Sequence, residues 1–226
     1  MTNLPLLILC AGFGKRMLNL TINSPKPLLV IDNITLLKNT IYFFKMVGFK
    51  EFLINTHYLH HKFEEYLYND LNDIEISLIY EPKILGTGGA VKNIFNYTNN
   101  KKLCVVNSDI FWQNRNLSDI KNFLINSHET THCKILLSKN INFLGLKKNK
   151  GDFCINNGII SNYNDKSEVI FFSGFQIVAK NIFNNTNKIF SMNEIWRNLI
   201  TNKNLKGQLT KSKILHIGDK KTFEDA

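Results

Sequence analysis

An apolar run, Leu4 to Leu9, breaks into two glycines one residue apart, Gly12-Phe13-Gly14, and this constrains the chain more than any other segment. A stretch without polar alternation needs burial on both faces, the condition of a central strand in a parallel sheet. Glycine lets the backbone turn sharply and approach a ligand. Successive backbone N–H groups in such a turn form an anion-binding concavity. Lys15 and Arg16 follow at once, and Lys26 is then fixed between Pro25 and Pro27. A phosphate-gripping loop at the end of a buried strand has this composition. Two common nucleotide loops are excluded: the third glycine of G-x-G-x-x-G is Met17, and no Gly-Lys-Ser/Thr follows Gly12 at P-loop spacing.

Apolar runs continue to alternate with helix-period segments. Strands are expected near residues 51–55, 75–80, 102–107 and 133–138, with the first near 4–10. Helices are expected at 35–47, 58–69 and 88–96 and from about Ser118. This alternation predicts an α/β fold, a doubly wound, mostly parallel sheet with right-handed crossovers. From about residue 139, Asn-, Gly- and Lys-rich turns surround short strands near 153–162 and 168–178, read as a small substrate-covering lobe over 139–180. Ser191 and Glu194 form a capping box, and a last strand covers 213–217. No repeat is visible, so residues 1–226 read as a single domain without a C-terminal β-helix.

The net charge of +10 over 226 residues points to anionic partners. The lysines are scattered, as in Lys147-Lys148-Asn149-Lys150, and form no basic stripe interleaved with aromatics, which argues for phosphorylated small molecules and against nucleic acid. Cys10, Cys104, Cys133 and Cys154 lack C-x-x-C spacing and read as free thiols in a reducing compartment. The apolar start lacks a basic flank and runs into the glycine loop, so it reads as a strand and not a signal peptide. No run reaches transmembrane length. The expectation is a cytoplasmic protein with no membrane partner, a monomer or small homo-oligomer.

Leu9-Cys10-Ala11-Gly12-Phe13-Gly14-Lys15-Arg16-Met17 with Pro25-Lys26-Pro27-Leu28 resembles the signature of the sugar-phosphate nucleotidyltransferases. Three further segments extend the resemblance. Glu81 to Ala90 matches an element that lies against the base, Asn107-Ser108-Asp109 a metal-binding element, and Phe171 to Gln176 a sugar-side segment. Within the family the chain looks most like the N-acetylmuramate-1-phosphate uridylyltransferases of cell-wall recycling, with the mannose-1-phosphate guanylyltransferases next. The resemblance implies a Rossmann-like fold and joining of a sugar 1-phosphate to a nucleoside triphosphate (UTP or GTP), giving an NDP-sugar and pyrophosphate. It implies that Gly12 and Gly14 cradle phosphates, aided by Ala11 and Lys15. It gives Arg16 the leaving phosphates, Lys26 the α-phosphate, and Glu81, Gly86 and Thr87 the base side. Asn107 and Gly174 would face the sugar, and Asp109 would bind Mg²⁺. Two positions depart from the pattern: Ser108 replaces a glycine, a strain if its backbone is left-handed, and His216 replaces a second metal-binding aspartate, which leaves it to bind the metal, act through water or contact phosphate. They support a rival reading, a non-catalytic nucleotide-sugar-binding regulator.

His128-Glu129-Thr130-Thr131-His132 matches the H-E-x-x-H zinc motif, but β-branched residues and a strand-like run from Cys133 argue against a helix there. His57, His60 and His61 sit at a strand-to-helix join and read as surface imidazoles, with the sugar pocket as an alternative for His57. Trp112 and Trp196 read as packing residues.

Overall fold

The computed structural model describes residues 3–127, 131–145 and 148–226. Strands β1 (Leu6–Leu9), β2 (Phe52–Thr56), β3 (Ile76–Tyr80) and β4 (Lys102–Asn107) form a parallel block in the order β3-β2-β1-β4. Leu6, Leu7 and Ile8 have no exposed surface, as the uniformly apolar run requires. Helix α1 (Leu36–Val47) starts where Thr35 Oγ1 accepts from the Lys38 N–H and stops at Gly48, whose φ is 115°. Its Leu37, Ile41 and Phe44 are fully buried on one face. Helices α2 (His60–Asp70), α3 (Gly86–Ile94) and α4 (Leu117–Ile125) follow the next strands.

The sheet continues through β5 (Cys133–Lys139), β6 (Phe153–Asn156), β7 (Ile159–Asn162), β8 (Ile170–Ala179) and β9 (Leu205–Leu209). Its nine strands run β6-β7-β9-β5-β8-β4-β1-β2-β3, and β7 and β8 oppose the direction of the others. The expected substrate-covering stretch over 139–180 is thereby divided. β8 enters the middle of the sheet, between β4 and β5, because nearly every one of its side chains is buried. β6 and β7 stay peripheral, joined through Asn157 and Gly158, both with positive φ, as a two-residue hairpin turn demands, and Phe143–Leu144 pairs outside the main sheet with the expected last strand, Ile214–His216. Strand β9 was not expected, since Lys206-Gly207-Gln208 has no apolar alternation. Gly207 belongs there because an added Cβ would stand 2.3 Å from the Ile160 side chain that covers it.

One hydrophobic layer joins α1, α2 and α4 to the sheet, with Phe43, Phe44 and Trp112 in mutual ring contact and Phe175 against Phe44 and Trp112. The other lies under α3 and α5 (Met192–Thr201), whose Ser191–Glu194 capping box is present. Cys10, Cys104 and Cys133 are buried free thiols, held protonated by that burial, and Cys154 is partly exposed. Among the described residues, no helix is long and apolar enough to cross a membrane.

Lys134 is an unusual core member. Its ammonium, only 6% of the residue being exposed, donates to the Phe123 and Asn126 carbonyls and to Gln208 Oε1 at 3.0, 3.2 and 3.0 Å, closing the end of α4. Burial pushes its pKa from 10.5 down to about 8. Between those values the unfolded chain binds the extra proton, so Lys134 adds stability as pH rises through that window. Urea melts of wild type and Lys134→Met should show the wild type gaining relative stability between pH 8 and pH 10.5. A difference independent of pH contradicts this.

Candidate active site

The carboxyl ends of β1 and β4 open into a cavity of about 360 Å³, where an open α/β sheet places its ligands. Ala11, Gly12, Gly14, Lys15, Arg16, Lys26, Glu81, Gly86, Thr87, Asn107 and Asp109 all line it. Gly14 has φ 65° and an added Cβ would press on Thr21 and Lys26 at 3.0 and 3.2 Å, whereas Gly12 has nothing within 4 Å of its Cβ position. The Met17 N–H donates to the Gly14 carbonyl at 2.8 Å, and the Met17 side chain is fully buried against Leu29, Ile31 and Ile217. An anchor occupies the position a dinucleotide loop gives to glycine. Lys15 and Arg16 form no ion pair among the described residues and are exposed beside the cavity.

A buried brace sets the loop height. Asn55 Oδ1 accepts from the Cys10 N–H at 3.1 Å, and Asn55 Nδ2 donates to Glu81 Oε1 at 2.8 Å. Glu81 Oε2 accepts from the Leu85 N–H at 3.2 Å, and Glu81 is 2% exposed. Burial raises its carboxyl pKa, opposed by these hydrogen bonds. Both Glu81 oxygens therefore serve the framework at the cavity floor. Thr87 Oγ1 likewise accepts from the Met192 N–H at 2.9 Å. Gly86 has φ 72°, and Gly88 and Gly89 donate to the Phe190 carbonyl at 3.0 and 3.2 Å, clamping the start of α3 against residues 188–191. Asn55 was not singled out from the sequence; its position at the end of β2, beside β1, was the available signal.

Lys26 and Asp109, 83 positions apart, meet with Nζ to Oδ2 at 2.9 Å. Pro25 and Pro27 fix the lysine backbone, and the residue is 9% exposed. His216 Nε2 lies 3.4 Å from the same Oδ2. Burial works to raise the Asp109 pKa, but the Lys26 charge and the His216 and Lys26 contacts outweigh it and hold the carboxyl well below its usual range. Ser108 has no positive φ; its hydroxyl donates to the Leu9 carbonyl at 2.7 Å and ties the ends of β4 and β1 together. The strain considered for a left-handed serine is therefore absent. Asp109 Oδ1 is buried with no hydrogen-bond partner among the described residues, an anionic ligand atom left free beside the glycine loop. This donor set fits a divalent cation shared with phosphate oxygens.

A second cavity of about 550 Å³ meets the first at Asn107 and is lined by His216, Gly174, Phe172, Lys148, Asp152, Asn193, Trp196 and Arg197. Gly174, with φ 88°, sits at a register shift in β8, and a Cβ there would strike Ile110 at 2.8 Å. Asp152 Oδ2 accepts from the Phe172 N–H at 3.1 Å, and Trp196 Nε1 donates to Gln176 Oε1 at 3.1 Å beneath the cavity. Trp196 thus lines a site as well as packing. Arg197, next to it, is a cation that the sequence reading missed, because only the approach of α5 to β8 places it there.

The histidines serve elsewhere. His57 Nδ1 lies 2.6 Å from the Glu81 carbonyl and His60 Nδ1 2.7 Å from Thr56 Oγ1. Residues His128 to Thr130 of the H-E-x-x-H match, and Lys147 of the lysine run, lie outside the described residues. Strand β5 begins at Cys133, directly after that match.

Residues 6–145 match the family model described as nucleotidyl transferase. The D-glycero-alpha-D-manno-heptose 1-phosphate guanylyltransferase of Aneurinibacillus thermoaerophilus is 33% identical over 103 residues, covering 46% of this chain and 45% of that protein. The N-acetylmuramate alpha-1-phosphate uridylyltransferase of Neisseria meningitidis serogroup B is 32% identical over 107 residues, 46% of each. The chain spans about half the length of the curated relatives it matches. HddC from Yersinia pseudotuberculosis complexed with GMP-PN superposes with a TM-score of 0.78 over 99% of this chain and 97% of that one, at 21% identity, a likeness of fold.

Proposed function

The chain belongs to the nucleotidyl transferase family, and from that premise we propose that it joins a sugar 1-phosphate to a nucleoside triphosphate. A phosphate oxygen of the sugar 1-phosphate attacks the α-phosphorus, the bond to the bridging oxygen of the β-phosphate breaks, and pyrophosphate leaves with the electron pair. No protein nucleophile is needed; positioning and charge neutralisation lower the barrier. The observation that carries the reading is the junction of two cavities at Asn107, with the Lys26–Asp109 pair beside it.

In this reading the triphosphate lies over Gly12 and Gly14, with Arg16 and Lys15 toward the leaving phosphates. Lys26 faces the α-phosphate, where charge builds in the transition state. The base side is the wall at Gly86 and Thr87, which Glu81 holds in shape from behind. The sugar occupies the second cavity, past Asn107 and Gly174. Asp109 and His216 would hold the divalent cation, magnesium in the family resemblance, which when bound neutralises phosphate charge.

The relatives' names separate two donor–acceptor pairs, GTP with a heptose 1-phosphate and UTP with N-acetylmuramate 1-phosphate. The first adds a sugar beyond the mannose and N-acetylmuramate expected from the sequence. Four nucleoside triphosphates assayed against heptose, mannose and N-acetylmuramate 1-phosphates should give turnover confined to one base, GTP or UTP. Tight binding with no turnover anywhere in that panel would favour the regulator reading.

A further inference from the structure

A third cavity, of about 530 Å³, shares no lining residue with the other two. Helix α3 divides it from the glycine loop: Gly86, Thr87 and Ala90 line the first cavity, Leu85, Gly89 and Lys92 the third. Its floor is apolar, built by the buried side chains of Leu85, Phe95 and Phe183. Three cations stand around that floor. Lys92 comes from α3, Lys180 from the end of β8 and Lys188 from the approach to α5. The chain carries 18 aspartates and glutamates, yet among the described residues none lines this cavity and none pairs with the three lysines.

Their ammonium groups keep donors to spare. Lys92 Nζ donates to the Thr186 and Asn187 carbonyls at 2.7 and 3.4 Å, and Lys180 Nζ to the Phe95 carbonyl at 3.4 Å. Each ammonium has three donors, and a carbonyl contact neutralises no charge. Three like charges around a concave, low-dielectric floor focus a positive field into it. Scattered surface lysines face solvent singly, whereas these converge from three separate segments. We propose that this cavity is a second nucleoside-phosphate site, in which the phosphates bridge the lysines and the base lies on the apolar floor. A nucleoside diphosphate supplies both the charge and the flat ring, and the volume falls within the roughly 300–1,000 Å³ of ligand pockets. The segment that walls the cavity is also joined to α3 behind Gly86, where the Phe190 N–H donates to the Leu85 carbonyl at 3.0 Å. A ligand held by Lys92 and Lys188 spans that same joint.

Equilibrium dialysis of the whole chain with UDP or GDP counts the sites. Wild type should bind two equivalents, and the double variant Lys180→Glu, Lys188→Glu one. The same charge reversal at Lys50 and Lys121, beside the layer on the opposite face of the sheet, should leave two, which separates a built site from general attraction to a basic chain. Inorganic pyrophosphate should compete for the second site at least tenfold more weakly than UDP or GDP, because it forgoes the apolar floor. Lys188 is exposed, so Lys188→Gln alone keeps the test open if the double variant unfolds, and it should weaken the second site severalfold. An unchanged count in the Lys180, Lys188 variant, an equal loss in the Lys50, Lys121 variant, or pyrophosphate competing equally would each overturn the proposal. The site does not rest on the transferase reading. If the glycine loop binds no nucleotide, wild type should hold one equivalent that the Lys180, Lys188 variant loses; one that survives, or none at all, overturns the proposal.

Discussion

Lys26→Ala is expected to lower kcat at least a hundredfold, with the thermal melt still cooperative. A preorganised charge facing the α-phosphate acts where negative charge grows, and removing one such group costs roughly 2.7–4 kcal/mol of transition-state stabilisation. Nucleotide affinity should fall much less, because Arg16, Lys15 and the loop N–H groups remain. The fold should survive: the Lys26–Asp109 pair is not sealed, with side-chain exposures of 11% and 21%, and His216 stays beside the carboxylate. Asp109→Ala should match the kinetic loss. Steady-state kinetics under saturating substrates checks both, and near-wild-type rates in both would remove these residues from the chemistry.

Gly86→Ala is expected to damage stability and nucleotide binding together, whereas Gly12→Ala should separate them. At Gly86 a methyl group would stand 2.5 Å from the Phe190 carbonyl oxygen on a backbone with φ 72°. Left-handed strain plus a backbone clash costs on the order of 3 kcal/mol, about 6–12 °C in Tm for a chain of this size. The damage should spread to the nucleotide wall, because the clamp between α3 and residues 188–191 fails with it. At Gly12 nothing lies within 4 Å of the new methyl, so Tm should stay within a degree or two. The methyl would instead intrude where phosphate is proposed to sit, and triphosphate affinity should fall at least tenfold. Calorimetry with nucleotide titration on both variants checks this; equal affinity in wild type and Gly12→Ala would move the phosphates elsewhere.

The parts of the site legible in the sequence are those built from local backbone constraints. Glycines after an apolar strand, and a lysine between two prolines, dictate their own geometry wherever they occur. Asp109, two residues past the end of β4, was marked only by its place in the family's series of motifs, since an aspartate after a strand is by itself usually a cap or turn residue. Glu81 shows the limit: its place at the end of β3 was readable, but the direction of its carboxylate depends on Asn55 of β2 and Leu85 beyond it. The second cavity was the least legible. Lys148, Asp152, Trp196 and Arg197 converge because β8 inserts between β4 and β5 and draws α5 over its surface, a long-range event with no local signature. Strand β9 was hidden for the same reason, as its glycine makes sense only beneath Ile160.

Proton-decoupled ³¹P NMR of the purified chain, with a divalent cation and the substrate pair chosen from the panel, follows the pyrophosphate and NDP-sugar signals together. Direct nucleotidyl transfer predicts that both grow in equal amounts, that neither appears when the sugar 1-phosphate is omitted, and that Lys26→Ala suppresses both. Pyrophosphate or inorganic phosphate released without a matching NDP-sugar would contradict it.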